Sequence, residues 1–225
     1  MQVATELAAS KRKLVAIYGG AFNPPTNAHL MLSTEIVRSG HVDEVWLCPS
    51  GPRRDKPDMA SPSDRLIMCE IAVNTCLSPA FPVKVIDQEV KKGRPSPTYE
   101  TLSALREAHA ECDFAFVVGT DWLRPGTDLR KWDNGEKLIT EFDFLVLRRP
   151  GYEVEDLESF GPRFKYLQLA NGYNYLESNV SSTEVRKRAK TSWAQDSRSN
   201  LFDLDGIVAP GVLAFILRHG LYKSS

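Results

Sequence analysis

The chain has 225 residues, 42% of them apolar, and a formal net charge of −1. This length suits one α/β domain, alone or with a helical appendage, and the composition can fill a core. A charge near zero provides no basic field for nucleic acid or an anionic membrane, so neither partner is expected. No apolar run approaches the roughly 20 residues that a membrane span needs.

The cysteines and the first residues bear on the compartment. Cys48, Cys69, Cys76 and Cys112 form no C-x-x-C pair, which favours inert thiols in a reducing environment. Residues 1–13 lack the apolar segment of a secretory signal, and we expect a flexible lead-in there. The predicted location is the cytoplasm, or also the nucleus in a eukaryote. The sequence does not decide whether residues 1–13 carry a targeting signal.

Short apolar runs alternate with helical patterns along the chain. Buried strands are predicted at residues 14–18, 44–48, 83–86, 114–118, 142–147 and 165–169. The first helix is predicted at 28–38 and the second at 62–77, with Ser61 as its N-cap and Asp64 closing a capping box. A third helical pattern surrounds Leu102 and Leu105, and two more follow residue 181.

This alternation predicts an α/β fold, a Rossmann-like parallel sheet with helices on both faces and a C-terminal helical extension. We expect the lead-in at 1–13 and a nucleotide-binding domain at 14–180. Residues 181–225 are expected to form a helical segment that completes the same domain. In such sheets ligands bind beyond the carboxyl ends of the strands, so functional residues are expected there.

The first strand runs into Gly19 and Gly20, and Thr26 and His29 follow where the first helix begins. The glycines let backbone amides approach a polyanion, and a helix N-terminus favours phosphate. Spacing of three residues places Thr26 and His29 on one helix face. The alternative is an ordinary tight turn with a capping Thr and a surface His. The glycine spacing fits neither the G-x-G-x-x-G nor the Walker pattern, which disfavours dehydrogenases and P-loop NTPases.

A second polar motif, residues 180–186, contains Ser182, Thr183 and Arg186. Ser and Thr before a helix are N-caps whose neighbouring amides can hold a phosphate, and Arg186 lies one turn further on to bind it. A plain capping box with a surface Arg is the alternative for this motif taken alone.

Together these residues carry a resemblance. Residues 19–29, Gly-Gly-Ala-Phe-Asn-Pro-Pro-Thr-Asn-Ala-His, resemble the G-x-F-x-P-x-(H/T)-x-G-H signature of the nucleotidyltransferase superfamily, and residues 180–186 are similar to its I-S-S-T-x-I-R. The form of the first motif looks most like nicotinamide/nicotinate mononucleotide adenylyltransferases. Thr26 replaces the usual bacterial His, and Ala28 replaces a common Gly. The resemblance implies catalytic roles for Thr26, His29 and Arg186, and ATP binding by Gly19, Gly20, Ala21, Phe22, Ser182, Thr183 and Arg186.

Further matches lie near the other strand ends, and the resemblance extends from residue 14 to 222. They are a loop with a phosphate-binding Lys, then S-x-T-x-x-T-L, G-x-D-x-L, L-x-x-W, R-P-G-Y and a closing helix. Read alone, these residues fit a solvated loop, helix caps, a turn and a packed Trp. The resemblance implies that they bind the mononucleotide: Asn23, Lys56, Thr98, Thr101, Gly119, Asp121, Leu129, Trp132 and Arg149.

The implied reaction transfers AMP from ATP to the 5′-phosphate of nicotinamide or nicotinate mononucleotide. A phosphate monoester has its second pKa near ~6, so the nucleophile is already ionised and needs no general base. The expected cofactor is Mg²⁺ with ATP, held mainly by the triphosphate, with no protein metal site. ATP and the mononucleotide are the expected partners, and a homo-oligomer is possible.

Two rival readings remain open at this point. One is another superfamily member, such as a phosphopantetheine adenylyltransferase or a cytidylyltransferase. The other is a non-catalytic nucleotide-binding protein on the same fold. The sequence does not decide between nicotinamide and nicotinate mononucleotide.

Overall fold

A computed structural model describes residues 12–53, 55–56, 58–149, 151–169, 178–194 and 203–223. The strands are β1 (Lys13–Gly20), β2 (Glu44–Pro49), β3 (Val83–Val85), β4 (Cys112–Gly119), β5 (Asp143–Leu147) and β6 (Phe164–Tyr166). The helices are α1 (Asn27–Arg38), α2 (Pro62–Cys76), α3 (Thr98–Ala108), α4 (Gly135–Glu141), α5 (Ser182–Ala194) and α6 (Pro210–His219). Short 3₁₀ turns lie at Thr120–Trp122, Leu129–Lys131 and Glu158–Phe160.

The six strands form one parallel sheet in the order β3-β2-β1-β4-β5-β6. This is the doubly wound order, in which the chain reverses direction across the sheet between β1 and β4. Successive side chains of β1 point to opposite faces. Ala16 and Tyr18 belong to the core that contains α1, α2 and α6 residues, and Val15 and Ile17 to the core under α3 and α4.

Burial on both faces explains why the strands are continuous apolar runs rather than alternating ones. The predicted fold class is therefore confirmed, including helices after residue 181. Two differences concern short elements. β3 and β6 each have three residues, fewer than predicted, and α4 was not predicted. With seven residues, α4 is too short to show a helical period.

Other predictions have mixed outcomes. Ser61 caps α2 by accepting the Asp64 N–H at 3.0 Å, but the Asp64 carboxylate binds the Ser61 hydroxyl and so does not complete a reciprocal capping box. Most of the predicted lead-in, residues 1–11, lies outside the described residues, and the domain division stays a prediction. All four cysteines are unpaired, and burial raises the pKa of Cys48 and Cys69. None of the described helices is both long and apolar enough to cross a bilayer.

Candidate active site

A cavity of about 980 Å³ opens at the carboxyl ends of β1 and β4, where the sheet reverses its strand order. This is the place where doubly wound sheets bind nucleotides. Its walls come from the ends of β1, β4 and β5, the start of α5 and two loops. Loop 1 is residues 21–26, between β1 and α1, and loop 2 is residues 50–61, between β2 and α2.

Loop 1 has an unusual backbone at the cavity wall. Phe22 has φ 46°, in the left-handed region that a bulky residue rarely adopts. Its ring is buried and meets the rings of Tyr18 and His29 edge-on, with centroids 5.4 and 5.1 Å apart. A side chain on Gly20 would lie 3.1 Å from the Phe22 ring, so the second glycine makes room for this turn.

His29 is held by its Nδ1 atom. The Thr26 backbone N–H donates to Nδ1 at 3.0 Å, and Thr26 Oγ1 lies 2.7 Å from the same atom. Since Nδ1 accepts, the proton of the neutral ring is on Nε2. Thr26 itself is buried and is absent from the cavity lining. The predicted pair thus lies together, with His29 on the cavity wall and Thr26 behind it.

The electrostatics of His29 favour the neutral ring. Burial, and to a smaller extent the positive charge of Arg149, lower its pKa to about 4. At neutral pH the side chain therefore presents a fixed, uncharged Nε2–H donor on the cavity wall.

The second motif folds against loop 1. Ser181 caps α5 by accepting the Glu184 N–H at 3.2 Å, so Ser182 and Thr183 lie in the first turn rather than before the helix as predicted. Ser182 Oγ donates to the Pro24 carbonyl at 2.7 Å. Arg186 donates to the Asn23 carbonyl at 2.8 Å, with Thr183 Oγ1 3.3 Å away.

The N-terminus of α1 is partly occupied by protein. The Asn27 N–H donates to the Ile207 carbonyl at 3.0 Å, and the Asn27 side chain donates to the Gly206 carbonyl at 2.9 Å. One of the amides available in principle for phosphate is therefore taken. The distant segment before α6 makes this contact, which local sequence does not reveal.

Loop 2 supplies the basic side chains. Lys56 is exposed and lines the cavity, as does Arg53, whose guanidinium binds Asp55 at 3.0 and 2.6 Å. The Arg53 charge is thus largely balanced by Asp55. Lys56 has no ion pair in the described part of the chain, so it is the more available cation.

The ends of β4 and β5 meet at Gly119. A side chain there would lie 2.2 Å from Asp121 Oδ1 and 2.6 Å from Arg149 Nε, so the glycine lets these two side chains lie where they do. Asp121 Oδ1 lies 3.1 Å from Arg149 Nε, an ion pair whose hydrogen-bond geometry is poor. The Arg149 N–H donates to Thr120 Oγ1 at 3.0 Å and fixes the two strand ends together.

An aromatic corner lies beside this pair. Trp132 is half-buried, lines the cavity and meets Phe116 and Trp122 edge-on, with centroids 6.5 and 5.1 Å apart. Trp122 also lines the cavity and remains 37% exposed. Two indoles at 83° leave a corner in which a flat ring can stack on one face and meet the other by its edge.

Most of the predicted site residues therefore line one cavity. The exceptions are Thr26, Thr101, Asp121 and Leu129, which are not among its lining residues. Thr101 is buried and donates its hydroxyl to Glu89 at 2.9 Å, and Leu129 is fully buried. Their direct contact with a ligand stays a prediction. The residues on the wall are Gly19, Gly20, Ala21, Phe22, Asn23, His29, Lys56, Thr98, Gly119, Trp132, Arg149, Ser182, Thr183 and Arg186.

Sequence reasoning missed other members of the site. Glu89 lines the cavity, and burial raises the pKa of its carboxyl group. Tyr222 donates to Asn23 Oδ1 at 2.9 Å, which joins the turn after α6 to loop 1. Trp122 lies inside the G-x-D-x-L motif, which by itself gives it no role. No local signal gives a role to Glu89, or to Tyr222 at the end of the closing-helix match, because their partners are distant in sequence.

A doubly wound sheet with phosphate-type donors at its switch point defines a nucleotide-binding α/β protein of the nucleotidyltransferase type. Residues 17–188 match the family model described as Cytidylyltransferase-like. The chain is 34% identical over 215 residues to a probable nicotinate-nucleotide adenylyltransferase of Salinibacter ruber, covering 93% of this chain and 97% of that protein. It is 28% identical over 214 residues to the nicotinate-nucleotide adenylyltransferase of Bacillus subtilis, covering 94% and 100%.

Solved structures give the same result. The nicotinic acid mononucleotide adenylyltransferase of Plasmodium falciparum complexed with NaAD matches with a TM-score of 0.73 and 27% identity, covering 93% of this chain and 97% of that one. This chain thus belongs to the Cytidylyltransferase-like family and, within it, to the nicotinate-nucleotide adenylyltransferases. The resemblance noted from the motifs is confirmed, and the chain is an enzyme of this class.

Proposed function

We propose that this enzyme transfers AMP from ATP to the 5′-phosphate of nicotinate or nicotinamide mononucleotide, giving the pyridine dinucleotide and pyrophosphate. The observation that carries the proposal is the convergence of His29, Arg186, Lys56 and Trp132 on one cavity at the sheet's switch point. These groups come from four separate segments of the chain, and together they suit two phosphates and a flat ring.

The reaction needs in-line positioning and stabilisation of charge on phosphorus and the leaving pyrophosphate. His29 donates through Nε2–H to the α-phosphate, and Arg186 with Thr183 binds the β- and γ-phosphates. Arg186 would exchange its hydrogen bond to the Asn23 carbonyl for this stronger, charge-assisted one. Lys56 holds the attacking phosphate, which carries its own negative charge at neutral pH.

The mononucleotide's ring is assigned to the aromatic corner of Trp132 and Trp122, and its ribose to Asp121. Arg149 currently pairs with Asp121, so the same ion pair orients that carboxylate at the subsite. Relatives named for nicotinate favour that mononucleotide, and the positive charge of Arg149 near the cavity suits its ring carboxylate.

A divalent metal is part of the proposal, with Mg²⁺ as the ion. Among the described residues, no group of three or more His, Cys, Asp or Glu side chains lies close enough together to hold a metal. In this proposal Mg²⁺ would be held chiefly by substrate phosphate oxygens, and Asp55 and Asp58 of loop 2, which line the cavity, are nearby carboxylates. When bound there, Mg²⁺ neutralises triphosphate charge.

The test is a steady-state assay of pyrophosphate release with ATP and each mononucleotide, with Mg²⁺ and with EDTA. CTP as donor and 4′-phosphopantetheine as acceptor are included because they would reveal another superfamily activity. Formation of a dinucleotide from ATP and either pyridine mononucleotide is expected. Turnover only with CTP or phosphopantetheine, or with no substrate pair, would contradict the proposal.

A further inference from the structure

A buried arginine lies behind the cavity. Arg65 on α2 is 0% exposed and is not among the cavity-lining residues. In the described part of the chain it has no ion-pair partner. Burial lowers its pKa, as expected for a charge removed from water. Such a group is costly unless all of its donors are bound, so its partners matter.

All five N–H donors of the guanidinium are accounted for. Nε donates to the Ala60 carbonyl at 3.1 Å, and Nη1 to the Ala21 carbonyl and Ser50 Oγ at 2.6 and 3.3 Å. Nη2 donates to the carbonyls of Ser50 and Gly51 at 2.6 and 3.1 Å. Four of these acceptors are main-chain carbonyls, so the guanidinium is held by the backbone and not by a carboxylate.

These acceptors are placed at particular points of the two loops. Ser50 and Gly51 begin loop 2 and Ala60 lies at its end, so Arg65 closes this loop at its base. The middle of the loop, with Lys56, lines the cavity. The Ala21 carbonyl lies in loop 1, directly before Phe22 with its left-handed φ. The peptide bond between Ala21 and Phe22 is planar and trans. Because its carbonyl faces Arg65, its N–H, which belongs to Phe22, points away from Arg65.

A second link joins the loops independently. Asn23 Oδ1 in loop 1 accepts the Ala60 N–H of loop 2 at 3.2 Å. Ala60 is therefore held on both sides, by Arg65 through its carbonyl and by Asn23 through its amide. Under the proposed function, loop 1 holds the two groups that bind the ATP phosphates, Arg186 through Asn23 and His29 through Thr26, and loop 2 carries the attacking phosphate on Lys56. The distance between these loops sets the distance between nucleophile and phosphorus.

We infer that Arg65 is a positioning residue for adenylyl transfer, which holds the two phosphate-binding loops at their working separation before substrate arrives. The inference rests on the proposed function for the identity of the two phosphates. Misplacement by about 1 Å can cost on the order of 10²-fold in rate, so the effect should be large.

The test compares Arg65→Lys with Val73→Ala, a cavity-forming change in the core on the same helix, about two turns beyond Arg65. Lysine keeps the charge but has three donors, too few for these acceptors. At a temperature well below both melting points, Arg65→Lys should lose about 30-fold or more in kcat/KM, with a lower kcat and raised KM values for both substrates. Val73→Ala should stay within about twofold of wild type. Arg65→Lys activity within threefold of Val73→Ala would overturn the inference.

A second measurement needs no variant and covers the case in which Arg65→Lys does not fold. Hydrogen exchange of the ligand-free wild type should show protected amides at the base of loop 2. Complete exchange there within seconds, with protection only after substrate is added, would also overturn the inference. If the wild-type protein showed no adenylyl transfer, the proposed function would be refuted instead. The exchange result would still report whether the loop that Arg65 binds is ordered without substrate.

Discussion

The role of His29 gives the sharpest prediction. His29→Ala should keep the fold, because the ring lines the cavity and water can fill the space that it leaves beside Thr26. The variant loses the Nε2–H donor that is preorganised on the cavity wall. Loss of one such donor typically lowers turnover about 10²–10³-fold, or roughly 3–4 kcal/mol of transition-state stabilisation. ATP binding should weaken much less.

The measurements are the steady-state turnover with ATP and nicotinate mononucleotide, and ATP affinity by calorimetry. Thr26→Val, which removes only the hydroxyl 2.7 Å from Nδ1, should cost about three- to tenfold, since the backbone N–H still orients the ring. His41→Ala, at an exposed loop position, is the matched control. Turnover in His29→Ala within threefold of wild type would refute the donor role.

The depressed pKa adds a dependence on pH. The folded-state pKa of His29 is about 4 against 6.5 ordinarily, so the unfolded chain takes up the proton more readily. The contribution of neutral His29 to the free energy of unfolding is therefore fully present above about pH 6.5 and is lost as the pH falls to about 4. The shift corresponds to at most about 3 kcal/mol. Denaturant unfolding at several pH values should show a steeper acid loss in wild type than in His29→Ala. Equal slopes, or an NMR titration of His29 above pH 6, would contradict the assignment.

Three further predictions concern the other subsites. Arg186→Ala should raise the KM for ATP about ten- to hundredfold and change the KM for the mononucleotide much less, and Arg188→Ala on the same helix is the control. Equal effects on both KM values would argue against a triphosphate role for Arg186. Trp132→Ala should raise the mononucleotide KM about three- to tenfold, and Trp132→Phe should restore most of the lost affinity. A lower melting temperature with equal increases in the KM of both substrates would indicate that Trp132 only packs in the fold. Gly119→Ala should separate Asp121 from Arg149, because its Cβ would lie 2.2 Å from the carboxylate, and so weaken mononucleotide binding; unchanged kinetics would show that this ion pair is dispensable.

The fold was largely predictable because its signals are local. Apolar runs that end at Gly20 and Gly119 mark strands that are buried on both faces, and their alternation with helices implies a parallel sheet. The motif residues could be assigned to one site because parallel strands place their carboxyl ends along one edge. The seven-residue α4 escaped prediction since it is shorter than two helical turns.

By itself the sequence determined the fold class, the family and most of the predicted residues that line the cavity, but it gave no role there to Glu89 or Trp122. Only the tertiary structure decided how they act. It placed Thr26 against Nδ1 of His29, paired Asp121 with Arg149, and hydrogen-bonded Thr101 to Glu89. It also buried Arg65 among carbonyls from two loops. The physical reason is that periodicity and capping act within a few residues, whereas these contacts join segments whose meeting depends on how the whole sheet and its helices pack.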